Sequence, residues 1–201
     1  MHRHTFPYRG RRSTKVLALA SSVTLFASLV VVGLAGAPVV AASAAAPACT
    51  TANLDVWLNT QGNGAAGSSY YNLNFTNLSA HSCTLYGYPG ISGVTQAGIQ
   101  LGSAAARDGE HAATVITLGS AQSARGFEQD TSRSTATVVV QITVAENFPA
   151  AQCAPITAAG LRVYPPGHKE STVVPFPFIA CAKSGPRYLH VQAAQKYLTG
   201  Q

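Results

Sequence analysis

Beyond position 48 the apolar residues recur with a period of two, in short runs broken about every eight to twelve residues by Gly, Pro, Asn or Ser. Successive side chains of an extended chain point to opposite faces, so such runs predict half-buried β-strands. Leu54, Val56 and Leu58 share one face of a first strand. Tyr71, Leu73 and Phe75 share one face of a second, with Asn72, Asn74 and Thr76 on a polar face able to meet water. Further strands are expected at residues 83–86, 91–94, 99–101, 114–118, 123–128, 136–144, 161–164, 172–176 and 188–192. The run at 136–144 is the clearest, because Val138, Val140, Ile142 and Val144 alternate with Thr137, Gln141 and Thr143. Residues 130–136 read as a polar loop, and 192–198 as a helical segment too short to matter.

About ten short strands without helices of crossover length between them argue for antiparallel pairing, since parallel neighbours need long connections. The expected fold is all-β: an Ig-like antiparallel β-sandwich of two facing sheets, with residues 47–201 as a single domain. No internal repeat or linker divides that stretch. Composition agrees. Of 201 residues 47% are apolar and only 10% charged, with 18 Gly and 11 Pro, which excludes a highly charged disordered chain and a coiled coil.

Where the charges fall decides what the net +6 means. Arg3, Arg9, Arg11, Arg12 and Lys15 precede every acid, and beyond residue 48 there remain 8 basic and 7 acidic residues. The basic balance belongs to the N-terminal segment, so the footprint of a nucleic-acid binder is missing from the rest. That segment has the layout of an export signal. A basic start is followed by an apolar run from Val16 to about Val40, then Ala42-Ser43-Ala44 and Ala44-Ala45-Ala46, where a signal peptidase would cut. Residues 1–46 are therefore expected to be a signal peptide cleaved near 44–46, and the protein to be secreted. The alternative is an uncleaved N-terminal membrane anchor at the cell surface, the only membrane contact expected. Arg11-Arg12 lacks the apolar residues that follow twin-arginine signals, and Ala46-Pro47-Ala48 is a poor context for lipid attachment at Cys49.

The four cysteines, Cys49, Cys83, Cys153 and Cys181, all lie past the leader and form no Cys-x-x-Cys pair. An even count in an exported chain reads as two disulfides rather than a zinc site. Three pairings are open; Cys49–Cys83 with Cys153–Cys181 is preferred because each closes a local loop and each half of the domain keeps one bridge.

Several segments invite a chemical reading. Gly90-Ile91-Ser92-Gly93-Val94 approaches a nucleophile elbow but has Val where the second glycine must let the chain turn. Asp108-Gly109-Glu110-His111 groups possible metal ligands within one expected hairpin turn, with no second ligand pair at a matching spacing. His81, His168 and His190 stand alone in turn or strand contexts. Asn74-Phe75-Thr76 and Asn77-Leu78-Ser79 fit the glycosylation sequon, yet read as strand and turn residues. The surplus is aromatic. Trp57, Tyr70, Tyr86, Tyr88 and Tyr164 fall on outward faces or corners of the expected strands, and flat rings with polar tips stack on sugars or anchor peptides.

The chain resembles a family of actinobacterial exported proteins known as domain of unknown function 4232. The resemblance rests on Cys49; Gly67-Ser68 leading to Tyr71-x-Leu73-x-Phe75-Thr76-Asn77; Cys83-Thr84-Leu85-x-Gly87-Tyr88-Pro89-Gly90; Val115-Ile116-Thr117-Leu118; Cys153; Leu161-Arg162-Val163-Tyr164-Pro165-Pro166-Gly167; and Cys181. These landmarks run in order over nearly all of the chain past the leader. The resemblance implies an exported or lipid-anchored domain and supplies no activity or catalytic residue. The expected function is a non-catalytic secreted or envelope-associated module without cofactor, binding a cell-wall glycan or a protein partner. A secreted hydrolase or metal-dependent enzyme using Asp108, Glu110 and His111, and a protease inhibitor presenting residues 87–90, are the alternatives.

Overall fold

A computed structural model describes residues 45–123 and 131–197. Residues 1–44 of the expected leader and 124–128 of the strand expected at 123–128 lie outside the described residues, and Ser123 ends a helical turn, not a strand.

The chain first forms a long hairpin, β1 (Leu54–Ala65) against β2 (Ser68–Asn77). Ala66 and Gly67 turn it with φ of 48° and 76°, the left-handed pair of a type I′ turn, whose twist matches that of the strands. β3 (Cys83–Tyr86), β4 (Gly90–Val94), β5 (Gln100–Leu101), β6 (Ala106–Arg107) and β7 (Val115–Leu118) follow. After the short helix α1 (Thr131–Ser134) come β8 (Thr135–Thr143), the helical turn α2 (Ala150–Cys153) and β9 (Pro155–Tyr164). β10 (Thr172–Cys181), β11 (Leu189–Val191) and β12 (Gln195–Lys196) complete the described chain.

The first sheet runs in the order β1-β2-β8-β11-β6, with β12 beside β8 past the end of β11; the second runs β10-β9-β4-β5. Pairing is antiparallel as expected, except that His190 and Val191 of β11 pair in parallel with Ala106 and Arg107 of β6. A two-stranded ribbon, β3 with β7, is a third sheet that the alternation does not announce.

The core lies where the two larger sheets face each other. Leu73, Phe75, Val138, Val140, Ile142, Leu189 and Val191 from the first sheet meet Ile91, Leu101, Leu161, Val163, Val174 and Ala180 from the second. Leu85, Ile116 and Leu118 of the ribbon join the same cluster. Each fully buried Leu, Val or Phe contributes about 1.5–3 kcal/mol relative to exposure. An aromatic row crosses between the layers. Tyr71 meets Phe176 edge-on at 4.8 Å, Phe176 stacks with Phe178 at 6.0 Å, and Phe178 leads to Tyr188 at 6.4 Å. Tyr188 Oη donates to the Leu101 carbonyl at 2.9 Å. Gly93 is required beside it, since a Cβ there would stand 2.8 Å from that oxygen and 3.2 Å from the Phe178 ring.

Both disulfides take the expected pairing, Cys49–Cys83 and Cys153–Cys181, and no free cysteine remains. The first ties the chain ahead of β1 to β3, where Cys49 N–H also donates to the Thr84 carbonyl. The second ties α2 to the end of β10.

Some local expectations give way to tertiary pairing. Gln195 and Lys196 are a strand, not part of a helix, because the edge of β8 beyond β11 offers them ladder partners at Thr137 and Ala136. Thr131–Ser134 is a helical turn rather than a loop. The face of β2 expected to meet water is partly covered: Asn72 and Asn74 are 8% and 1% exposed.

Candidate functional site

The face of the first sheet turned away from the core carries a polar lattice built by register, with Asn72, Asn74, Thr135 and Thr137 buried at its centre and Trp57, Asn59, Tyr70, Gln141 and His190 half-buried around them. Across β1, β2 and β8 the partners Asp55–Thr76–Thr135, Trp57–Asn74–Thr137 and Asn59–Asn72–Val139 lie on that face, followed by Tyr70–Gln141–His190 across β2, β8 and β11. Side chains opposite one another in adjacent strands lie about 4.5–5.5 Å apart at Cβ, within hydrogen-bonding reach for hydroxyls and amides. They use it. Thr137 Oγ1 donates to Asn74 Oδ1 at 2.8 Å, and Asn74 Nδ2 donates to the Asn72 carbonyl at 3.3 Å. Thr76 and Thr135 hydroxyls meet at 2.9 Å, and Gln141 Nε2 donates to Ser68 Oγ at 3.0 Å.

Trp57 is part of this lattice. Its indole N–H donates to Thr76 Oγ1 at 3.1 Å, which orients the half-buried ring. Tyr70 sits further along the same face, beside a cleft of about 10 Å³ lined by Asp108, Gln141, His190 and Gln192. That is room for about one water, so the cleft encloses no larger ligand. Asn59 Oδ1 accepts the Gln61 backbone N–H at 3.0 Å, which orients its amide nitrogen as a donor.

The other three aromatic candidates lie elsewhere. Tyr86 is exposed on the β3–β7 ribbon opposite Val115. Tyr88 packs against the core, donates to the His111 carbonyl at 3.2 Å and carries the Arg107 guanidinium 5.5 Å from its ring centre. Tyr164 is half-buried in the second sheet opposite Gly90. The five rings therefore form no common platform; only Trp57 and Tyr70 share a face. The reason is register: Tyr86 and Tyr164 belong to other sheets, and the corner at Gly87, whose φ is 101°, precedes a Tyr88 folded down onto the core.

Asp108 Oδ1 accepts the Glu110 N–H at 3.0 Å, an Asx turn on the surface, with Glu110 and His111 exposed. Among the described residues no group of three or more His, Cys, Asp or Glu side chains converges to hold a metal. Ser92 is buried within β4, in a regular strand rather than at an elbow. His168 is not isolated: its ring nitrogens face the Pro166 carbonyl at 2.9 Å and the Cys49 carbonyl at 2.5 Å, linking the turn after β9 to the first disulfide. His190 Nε2 faces the Arg187 carbonyl at 3.1 Å. Asn77 and Asn74, the two sequon asparagines, are 0% and 1% exposed and engaged in structure.

A second feature, not foreseen from the sequence, is a cavity of about 200 Å³ that opens to solvent, lined by Tyr71, Ile142, Val144, Phe178 and Ile179 with Glu146 at its rim. Its lining comes from β2, the end of β8 with the turn after it, and β10, segments that only the fold brings together.

Among the described residues no helix is long and apolar enough to cross a membrane. The two disulfides fit an extracellular protein. No curated protein matches the sequence. Residues 49–126 match the family described as a domain of unknown function (DUF4232), a span that covers β1 to β7 and stops short of Cys153, Cys181 and the strands around them, so the likeness reaches less of the chain than its ordered landmarks imply.

Proposed function

We propose that the protein is a non-catalytic, exported binding module whose outward first-sheet face lies against a cell-wall glycan. The observation that carries this reading is Trp57, its indole oriented by Thr76, sharing one face with Tyr70 and the amide side chains Asn59 and Gln141. Pyranose rings present apolar C–H faces to aromatic rings and a periphery of hydroxyl and acetamido groups to amides. A surface whose cleft encloses no larger ligand suits a polymer lying across it better than a small molecule held inside it. The leader at 1–46, cleaved near 44–46, delivers the domain to that compartment. There the Cys49 sulfur serves the Cys49–Cys83 bridge, not a lipid anchor.

Cosedimentation of the disulfide-bonded protein with purified cell-wall sacculi tests the reading. Retention that falls about tenfold for Trp57→Ala and for Tyr70→Ala, with Tyr86→Ala unchanged, is expected; a tenfold loss corresponds to about 1.4 kcal/mol, a usual cost for truncating an aromatic anchor. Retention unaffected by both substitutions, or absent from the outset, contradicts it.

A further inference from the structure

The cavity between the sheets lies on the opposite side of the first sheet from the polar face. Ser69, Tyr71 and Ile142 form its wall on the first sheet, Phe178 and Ile179 its wall on β10, and Val144, Ala145 and Glu146 its end. Its volume of about 200 Å³ is open to solvent on one side and has room for a body the size of one aromatic ring. The walls are preformed. The Tyr71 ring is held between Phe176 and the Gly62 backbone, where an added Cβ would lie 2.4 Å from the ring. Phe178 is held between Phe176 and Tyr188.

Among the described residues the lining is apolar and aromatic apart from Ser69 and Thr143, and the one charged residue in it is the exposed Glu146. Aromatic rings attract cations through their electron-rich faces, and a rim carboxylate does so directly. We infer that this cavity is a binding site for a small apolar cation, one aromatic ring or an equivalent alkyl body carrying a protonated amine, with the body against Tyr71, Ile142 and Phe178 and the amine at Glu146. The site is independent of the glycan face, and its failure leaves that face untouched.

Two probes of one skeleton and opposite charge separate the components of the claim. The disulfide-bonded, methyl-labelled protein is titrated with 2-phenylethylammonium and with 3-phenylpropionate at neutral pH, following the methyls of Ile142, Val144 and Ile179. Saturable shifts at all three with the ammonium, about threefold weaker binding of the carboxylate, and loss of that preference in Glu146→Gln are expected; an exposed ion pair is worth such a factor. Val144 and Ile179 are 41% and 42% exposed, so Val144→Trp and Ile179→Trp can fill the mouth from outside the core. Either is expected to abolish binding of both probes while the native spectrum persists, and one serves if the other fails to fold. Absence of saturable shifts overturns the site, and equal affinity for the two probes overturns the assignment of a cation.

Discussion

Burial among Phe178, Gly93 and the β4–β5 pair pushes the Tyr188 phenol up from 10.0 to about 12, the Gly93 backbone offsetting part of the shift. A raised phenol pKa means that the folded state keeps its proton after the unfolded state has lost it. Stability from this group is intact below pH 10 and declines as pH rises from about 10 to 12. Tyr188→Phe is expected to cost about 1–2 kcal/mol at pH 8, from the bond lost to the Leu101 carbonyl, and that deficit should shrink as pH rises above 10. Denaturant titrations of both proteins between pH 8 and 11.5 measure it; a deficit constant with pH would contradict the assignment. Asn77 is satisfied on both sides of its side-chain amide. Its Nδ2 donates to the His81 and Gly119 carbonyls at 2.8 and 2.9 Å, and its Oδ1 accepts from Ser79 N and Oγ at 3.0 and 2.7 Å. Asn77→Ala strands those partners and is expected to lower stability by about 3 kcal/mol in equilibrium unfolding. Neither role is legible in the chain. Tyr188 reads as the first residue of an expected strand and Asn77 as a sequon or turn residue, because the Leu101 and Gly119 carbonyls they serve arrive from segments tens of residues away.

At the scale of elements, period-two alternation located the strands that carry the core. It works for β2 and β8 because their inward residues, Leu73 with Val138 and Tyr71 with Val140, face one another in register. It fails where pairing rather than composition makes the strand. The second half of β1, Asn59 to Ala65, is polar and glycine-rich, and it is extended because β2 holds it across a bulge between Asn59 and Asn63. The same holds for the two-residue strands β6 and β12. The turn at Ala66-Gly67 holds an alanine at φ 48°, a left-handed conformation that costs an L-residue about 1–2 kcal/mol. Ala66→Asn is expected to raise stability by about 1 kcal/mol, read as a shift in the denaturation midpoint at unchanged slope; no shift would contradict the turn geometry. The disulfides span 34 and 28 residues, loops whose closure is worth about 3–4 kcal/mol each in the chain-entropy model. Replacing both cysteines of either bridge by Ala should therefore lower the midpoint more than any single surface substitution.

For the whole molecule, two sheets and a ribbon close over one core, and the functional question becomes which outer surface is used. Alternation shows that Trp57 and Tyr70 oppose the core residues of their strands, and so places them outside. It does not show that they share a sheet with Gln141 and His190, since that follows from β2–β8 and β8–β11 pairing across more than forty residues of chain. Nor does it separate them from Tyr86, Tyr88 and Tyr164, which alternation equally puts outside. The structure ranks the five by what surrounds them: an ordered polar lattice around Trp57, the core beneath Tyr88, isolation for Tyr86. The most direct test is to titrate the ¹⁵N-labelled, disulfide-bonded protein with a soluble oligosaccharide of N-acetylated sugars and map the amide and indole shifts. The account predicts saturable changes at the Trp57 indole and along Tyr70, Asn72, Gln141 and His190, with β9, β10 and the Tyr86 ribbon silent. Changes confined to those other surfaces, or none at all, would contradict it.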